Sequence, residues 1–113
     1  EAPLRNLAAR ILRQRGYDVV EASDGEEALD ILMDESGSFD LLLSDVKMPG
    51  MGGPELLKEA RPYLGRARVI FMSGYAEQNL SDTLESDREI SFLQKPFGIE
   101  ALSALVKAEL AAA

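Results

Sequence analysis

The chain predicts an α/β fold built on a mostly parallel sheet, and three observations carry that prediction. Apolar runs of strand length alternate with amphipathic stretches of helical length, the pattern of βαβ units. Leu41-Leu42-Leu43-Ser44-Asp45 is an almost continuous apolar run closed at once by Met48-Pro49-Gly50, as expected of a strand covered on both faces. Two later runs, 67–73 and 90–95, end like this one in a reactive side chain: Asp45, Ser73 and Lys95 in turn. Open α/β sheets place their chemistry at the C-terminal ends of strands. An acid, a hydroxyl and an ammonium on successive strand ends form a phosphoryl-accepting constellation.

Leu4, Leu7, Ala8, Ile11 and Leu12 recur at helical spacing, with Arg5, Arg10 and Arg13 largely off that stripe and Gly16 as a C-terminal stop. Residues 17–22 read as a strand. Asp24 with Glu27 resembles a capping box that opens a helix through Ala28, Leu29 and Leu32, ended by Gly37 and Ser38. The Asp45 strand comes next. Pro54 suits the first turn of a helix over 54–64, whose end Pro62 should distort. After the Ser73 strand, residues 77–85 form a weak helix resting on Leu80 and Leu84. After the Lys95 strand, the last helix carries Ile99, Leu102, Leu105, Val106 and Leu110 on one side. No internal repeat or long linker interrupts the chain.

Composition narrows the function. The 113 residues suit one compact domain with a real core. Twenty acidic residues against 12 basic ones give a net charge of -8, which argues against direct binding to nucleic acid. With no cysteine there is neither disulfide nor thiol chemistry. With no histidine the chain supplies no phosphohistidine, imidazole base or imidazole ligand. No apolar stretch approaches the roughly 20 residues of a membrane span, and no signal peptide is visible. The expectation is a cytoplasmic domain without direct membrane contact, and a membrane-anchored parent protein is compatible with it.

Asp45 with Met48-Pro49, Ser73-Gly74 and Lys95-Pro96-Phe97 resemble, in order and spacing, the motifs of a two-component receiver domain, the CheY-like module. The resemblance covers essentially the whole chain. The wording SGYAE followed by FLQKPF is also similar to the C-terminal receiver of hybrid histidine kinases, the alphaproteobacterial cell-cycle kinase in particular. It implies a flavodoxin-like, doubly wound sheet in the order 2-1-3-4-5. It also implies a phosphoacceptor domain that takes a phosphoryl group from a histidine kinase or histidine phosphotransfer protein, then switches conformation or relays the phosphate. Such a receiver is not a conventional enzyme, since its chemistry is Mg²⁺-dependent phosphorylation of its own aspartate; a hybrid-kinase parent would be one.

The resemblance assigns roles, and each has a plainer alternative. Asp45 is the expected nucleophile, since a carboxylate can form an acyl phosphate; alternatively it is a solvent-facing acid that organises the Met-Pro-Gly turn. Lys95 would balance charge on the phosphoryl group, aimed inward by a cis bond to Pro96, or it is an exposed strand-end lysine. Ser73 would donate a hydrogen bond to a phosphoryl oxygen, or cap the next segment. Phe92 occupies the family's aromatic switch position, though a lone strand Phe is usually core. Gly74 and Ala76 are small and leave access to the site. Mg²⁺ would take Asp45 and the backbone carbonyl of Lys47. Glu21, Glu26 and Glu27 read as a solvated acidic face.

One family element is missing. The family's first strand ends in an acidic pair that supplies the remaining metal carboxylate, and by spacing this pair falls just before Glu1. The chain therefore reads as a single receiver domain over 1–113, truncated at its N-terminus, with Mg²⁺ bound weakly or not at all. Losing an inner strand leaves a gap between residues 17–22 and 40–45, with costly unpaired edges. The expected remedies are self-association, a swapped strand, or a rearranged sheet in which those two segments pair directly. The rival functional reading is a protein-interaction module of receiver ancestry that cannot be phosphorylated. A flavodoxin-like cofactor binder lacks its phosphate-cradling loop, and an aspartyl phosphatase lacks its second acid, which Lys47 replaces.

Overall fold

The computed structural model describes residues 2–48, 50–73 and 90–112. In chain order these form α1 (Ala2–Gln14), α2 (Gly25–Asp34), β1 (Leu41–Asp45), α3 (Gly53–Leu64), β2 (Arg68–Ser73), β3 (Ile90–Gln94) and α4 (Ile99–Ala112). The three strands are parallel and lie in the order β1-β2-β3. Register pairs Leu43 with Ile70 and Asp45 with Met72, then Phe71 with Phe92 and Ser73 with Gln94. The expected weak helix over 77–85 lies outside the described residues.

Alternation along the strands splits the core into two layers. Val69 and Phe71 face a cluster with Leu56, Leu57, Ala60 and Leu64 of α3 and Leu32 of α2. Ile70 and Leu93 face the opposite cluster, with Ala8 and Leu12 of α1 and Leu102 and Val106 of α4. Helices thus cover both faces of a parallel sheet, which is why its strands are apolar almost throughout.

Most helix signals act as expected. Asp24 Oδ1 accepts from Glu27 N at 2.8 Å while Glu27 Oε1 accepts from Ser23 N at 2.6 Å, a complete capping box at the start of α2. Gly16 takes φ 94 just beyond α1, where the chain reverses. Pro62 does not end α3; the helix runs on to Leu64 with the proline inside its last turn. Its missing amide leaves the Lys58 carbonyl without the usual i−4 partner, a local cost that the buried face of α3 outweighs.

The strand expected over 17–22 does not form. A strand exists only as a hydrogen-bonded pair, and no described strand lies beside this segment. Tyr17 and Val19 pack on the α1–α4 cluster instead, and the Val19 carbonyl accepts from Arg13 Nη2 at 2.9 Å. Direct pairing of this segment with β1 is likewise not observed. Asp40 O accepts from Arg68 N and Val46 N donates to Met72 O, so even-numbered backbone groups of this stretch face β2. The backbone groups of Leu41, Leu43 and Asp45 therefore face the other edge, which has no strand partner among the described residues.

The acidic face also needs correction. Glu21 is half-buried and bridges Arg5 at 3.4 Å and Arg13 at 3.2 Å. Glu26 and Glu27 are exposed as expected, Glu27 also serving the capping box, so the correction concerns Glu21 alone.

Candidate functional site

The sheet delivers its strand ends to one edge of the molecule. Asp45 closes β1, Ser73 closes β2, and Lys95 comes directly after the last residue of β3. Parallel register makes these three neighbours in space, although 28 and 22 residues of sequence separate them (73 − 45 and 95 − 73). Lys95 Nζ lies 2.5 Å from Asp45 Oδ1, with side chains 28% and 14% exposed. Asp45 is therefore no solvent-facing turn residue, and Lys95 is no free strand-end charge. Oδ1 is buried and makes no directed hydrogen bond among the described residues, so the ammonium is the group that balances it. The Lys95–Pro96 peptide bond is cis, as the resemblance implied.

Asp45 is anchored on both sides. One residue on, Val46 N extends the ladder to Met72 O at 3.1 Å, and Val46 O accepts from Gly53 N at 2.8 Å. The start of α3 is thereby drawn against the end of β1. A side chain at Gly53 would run into the Asp45 carbonyl and the Phe71 ring, so only glycine allows this approach. Ser44 Oγ donates to the same Asp45 carbonyl at 2.9 Å. Gly53 and Ser44 were not singled out from the sequence. The Gly52-Gly53 pair before a helix was the one available signal, since glycine marks close backbone approach.

Phe92 stacks at a tilt on fully buried Phe71, with ring centroids 6.0 Å apart and planes 37° apart, a favourable aromatic geometry. It is partly buried against the α3-side core. Ser73 ends its strand in register with Gln94, but its side chain, like Gly74 and Ala76, lies outside the described part of the chain. Lys47 has an exposed side chain. No three carboxylates gather into a metal-binding group among the described residues. Among the described residues Asp45 is the one carboxylate that, with the Lys47 carbonyl, could hold a hard cation that takes six oxygen ligands, and the Lys95 ammonium already contacts it.

Fold and site together define the class: a doubly wound α/β protein with a charge-balanced carboxylate at the C-terminal edge of its sheet. The chain belongs to the response regulator receiver domain family, which matches it over residues 1–107. It is 43% identical over 107 residues to the sensor kinase CckA of Brucella abortus, covering 95% of this chain and 11% of that kinase. It is 34% identical over 104 residues to sporulation initiation phosphotransferase F of Bacillus subtilis, covering 92% of this chain and 82% of that protein. Among solved structures, the receiver domain from the hybrid histidine kinase CckA superposes with a TM-score of 0.83 at 47% identity, covering 97% and 92% of the two chains. The expected CheY-like fold is thus present, and its described strands keep the family's order rather than a rearranged one. No described helix is long and apolar enough to cross a membrane.

Proposed function

We propose that this chain is the phosphoacceptor of a two-component phosphorelay, with Asp45 as the nucleophile. The observation that supports it most is the Asp45–Lys95 pair at adjoining strand ends in a chain of the receiver family. An Asp45 carboxylate oxygen would attack the phosphorus of a phosphohistidine. The O–P bond forms, the P–N bond breaks, and the imidazole leaves with its electron pair. The imidazole would come from outside these 113 residues, on a histidine kinase or histidine phosphotransfer protein, because they include no histidine. The transfer is mostly a matter of position and charge. Lys95 would exchange its contact with Oδ1 for one with a phosphoryl oxygen, and Ser73 would donate a hydrogen bond to another. Phe92 would then move into the space Ser73 leaves.

Receiver domains typically bind Mg²⁺ at their acidic site, where it supplies countercharge for phosphate approaching carboxylate. No group of three acidic side chains gathers there among the described residues, and with a single carboxylate the attraction for a hard cation is reduced, so weak Mg²⁺ binding by this chain is part of the proposal. This shortage also favours the second reading, a receiver-like interaction module that is not phosphorylated. The edge of β1 has no strand partner among the described residues, which supports reading self-association as a further property of these residues. A cytoplasmic location, inside or outside a larger sensor kinase, fits this chemistry.

Acetyl phosphate labelling with Mg²⁺, read by mass spectrometry of the modified peptide, tests the proposal. It is run on this chain and on a form extended upstream to carry an acidic pair. Label at Asp45 in the extended form, lost in Asp45→Asn, is the expected result. Undiminished label in Asp45→Asn sinks the assignment, and no label in either form leaves the interaction module.

A further inference from the structure

With no cysteine, the sulfur chemistry of this chain rests on four methionines, and one of them touches the site. Met48 follows closely on Asp45, is half-buried and packs on the α3-side core. Its Sδ lies 3.9 Å from Ser44 Oγ. Ser44 is itself buried, the one uncharged polar residue of β1, and its hydroxyl donates to the Asp45 carbonyl at 2.9 Å. The other sulfurs stand elsewhere. Met33 is 48% exposed on α2, Met72 is buried in β2, and Met51 packs against Gly25 at the start of α2.

A hydroxyl has a single proton to give, and a thioether is a weak acceptor, so the Asp45 carbonyl takes that proton while Met48 is reduced. A sulfoxide oxygen is a strong acceptor. Added on the near side of Sδ, it comes within hydrogen-bond range of Ser44 Oγ and competes for the proton. The Asp45 carbonyl then loses its side-chain donor. A polar sulfoxide also fits the apolar cluster poorly, which loosens the seat of Met48. The connection disturbed in this way carries the Lys47 carbonyl and is tied to the start of α3 by Gly53 N donating to Val46 O at 2.8 Å.

We propose that Met48 is an oxidation site through which peroxide turns down phosphorylation of Asp45. A lone pair on Sδ attacks one peroxide oxygen. The S–O bond forms, the O–O bond breaks, and the departing hydroxide takes up the proton of the new S–OH group to leave as water. The thioether is oxidised to the sulfoxide and the peroxide is reduced. A methionine sulfoxide reductase reverses the change. The effect on phosphorylation rests on the reading of Asp45 as the phosphoacceptor, whereas the sulfoxide and its bond to Ser44 do not.

The test treats this chain and the extended form with hydrogen peroxide. Peptide mass spectrometry should find exposed Met33 oxidised first and Met48 well ahead of buried Met72. In the Met48 sulfoxide, hydrogen exchange at the Gly53 amide should quicken about three- to tenfold, the worth of one hydrogen bond. Acetyl phosphate label on the extended form should fall by a similar factor, and sulfoxide reductase should restore both. Met48→Leu keeps the volume without the sulfur and should resist both effects, while Met33→Leu should still show them. In Ser44→Ala the hydroxyl is gone, so Gly53 exchange should start fast and respond little to peroxide. Met48 no more reactive than Met72, unchanged exchange in the sulfoxide, equal acceleration in Ser44→Ala, effects that persist in Met48→Leu, or full label on the oxidised extended form each overturn the proposal. Should a variant fail to fold, the peptide map and exchange rates of the parent chain still decide. No label on the unoxidised extended form removes the phosphoacceptor reading, and the map and exchange rates then judge the Met48 site by themselves.

Discussion

Replacing Gly53 with alanine tests how rigidly the fold holds its candidate nucleophile. The added methyl would stand 2.8 Å from Phe71 Cε1 and 3.1 Å from Cδ1, and closer still to the Asp45 carbonyl oxygen. Neither neighbour gives easily. Phe71 is fully buried, and the Asp45 carbonyl lies between two ladder residues and accepts from Ser44. Overpacking of this kind costs about 1–3 kcal/mol. Alanine returns at most about 1 kcal/mol through helix propensity and a stiffer unfolded chain. The net expectation is a loss of roughly 1–2 kcal/mol, or about 5–10 °C in melting temperature for a domain of this size.

Gly25→Ala is the internal comparison. Its methyl would meet Met51 O at 2.8 Å and Met51 Cβ at 3.0 Å, a similar overlap, but Met51 lies in the connection before α3 rather than in a strand. It should cost less than Gly53→Ala. Urea unfolding with both midpoint and slope measured is the assay, since an unchanged slope ties the shift to stability. Gly53→Ala at or above the parent's stability, or Gly25→Ala the more damaging, would refute the claim that the β1–α3 junction is rigid.

Three further outcomes are expected. Lys95→Ala in the extended form should sharply reduce acetyl phosphate labelling and lower stability by roughly 1–2 kcal/mol without unfolding the domain, because it leaves the mostly buried Asp45 carboxylate without its countercharge; normal labelling would return Lys95 to the role of surface charge. Asp24→Ala should cost about 1 kcal/mol by urea unfolding through loss of the cap on Glu27 N, and Asp24→Asn should recover most of it. Arg68→Ala should destabilise more than Glu109→Ala, by roughly 2 against 1 kcal/mol, since the first strands a nearly buried carboxylate. The reverse order would mean that the Glu109 side chain contributes more than the charge balance Arg68 gives it.

Asp45, Ser73 and Lys95 were legible because each ends an apolar run, and run ends are local features of sequence. That Asp45 and Lys95 meet was legible from their places at the ends of successive strands of one parallel sheet, and the resemblance added their roles. Residues 17–22 mislead for the complementary reason: alternation gives a segment the character of a strand, but a ladder needs a neighbour that local pattern cannot supply. The same holds for Glu21. Its neighbours in sequence suggest a solvated acid, and only the packing of α1 brings Arg5 and Arg13 to it. Beyond the Gly52-Gly53 pair itself, nothing local shows the Gly53 contact, because it depends on where α3 begins relative to β1.

The two ends of the sheet carry different burdens. At the C-terminal edge, Asp45 and Lys95 form a pair that has to open if a phosphoryl group is to enter. At the opposite edge Arg68 begins β2 and reaches Glu109 in the last turns of α4, at 3.1 Å, with side chains only 18% and 11% exposed. A carboxylate near a helix C-terminus is unfavourable against the helix dipole, so Glu109 depends on that arginine. From Ile99 to Glu109 the helix rises about 15 Å. Groups that far apart with no shared partner act additively. Stability can therefore be tuned through Arg68 and Glu109 without touching Asp45, and the pair at Asp45 can break and re-form while the far clamp keeps α4 on the sheet. Non-additive losses in the double variant Lys95→Ala with Arg68→Ala would show instead that α4 transmits strain between the two edges.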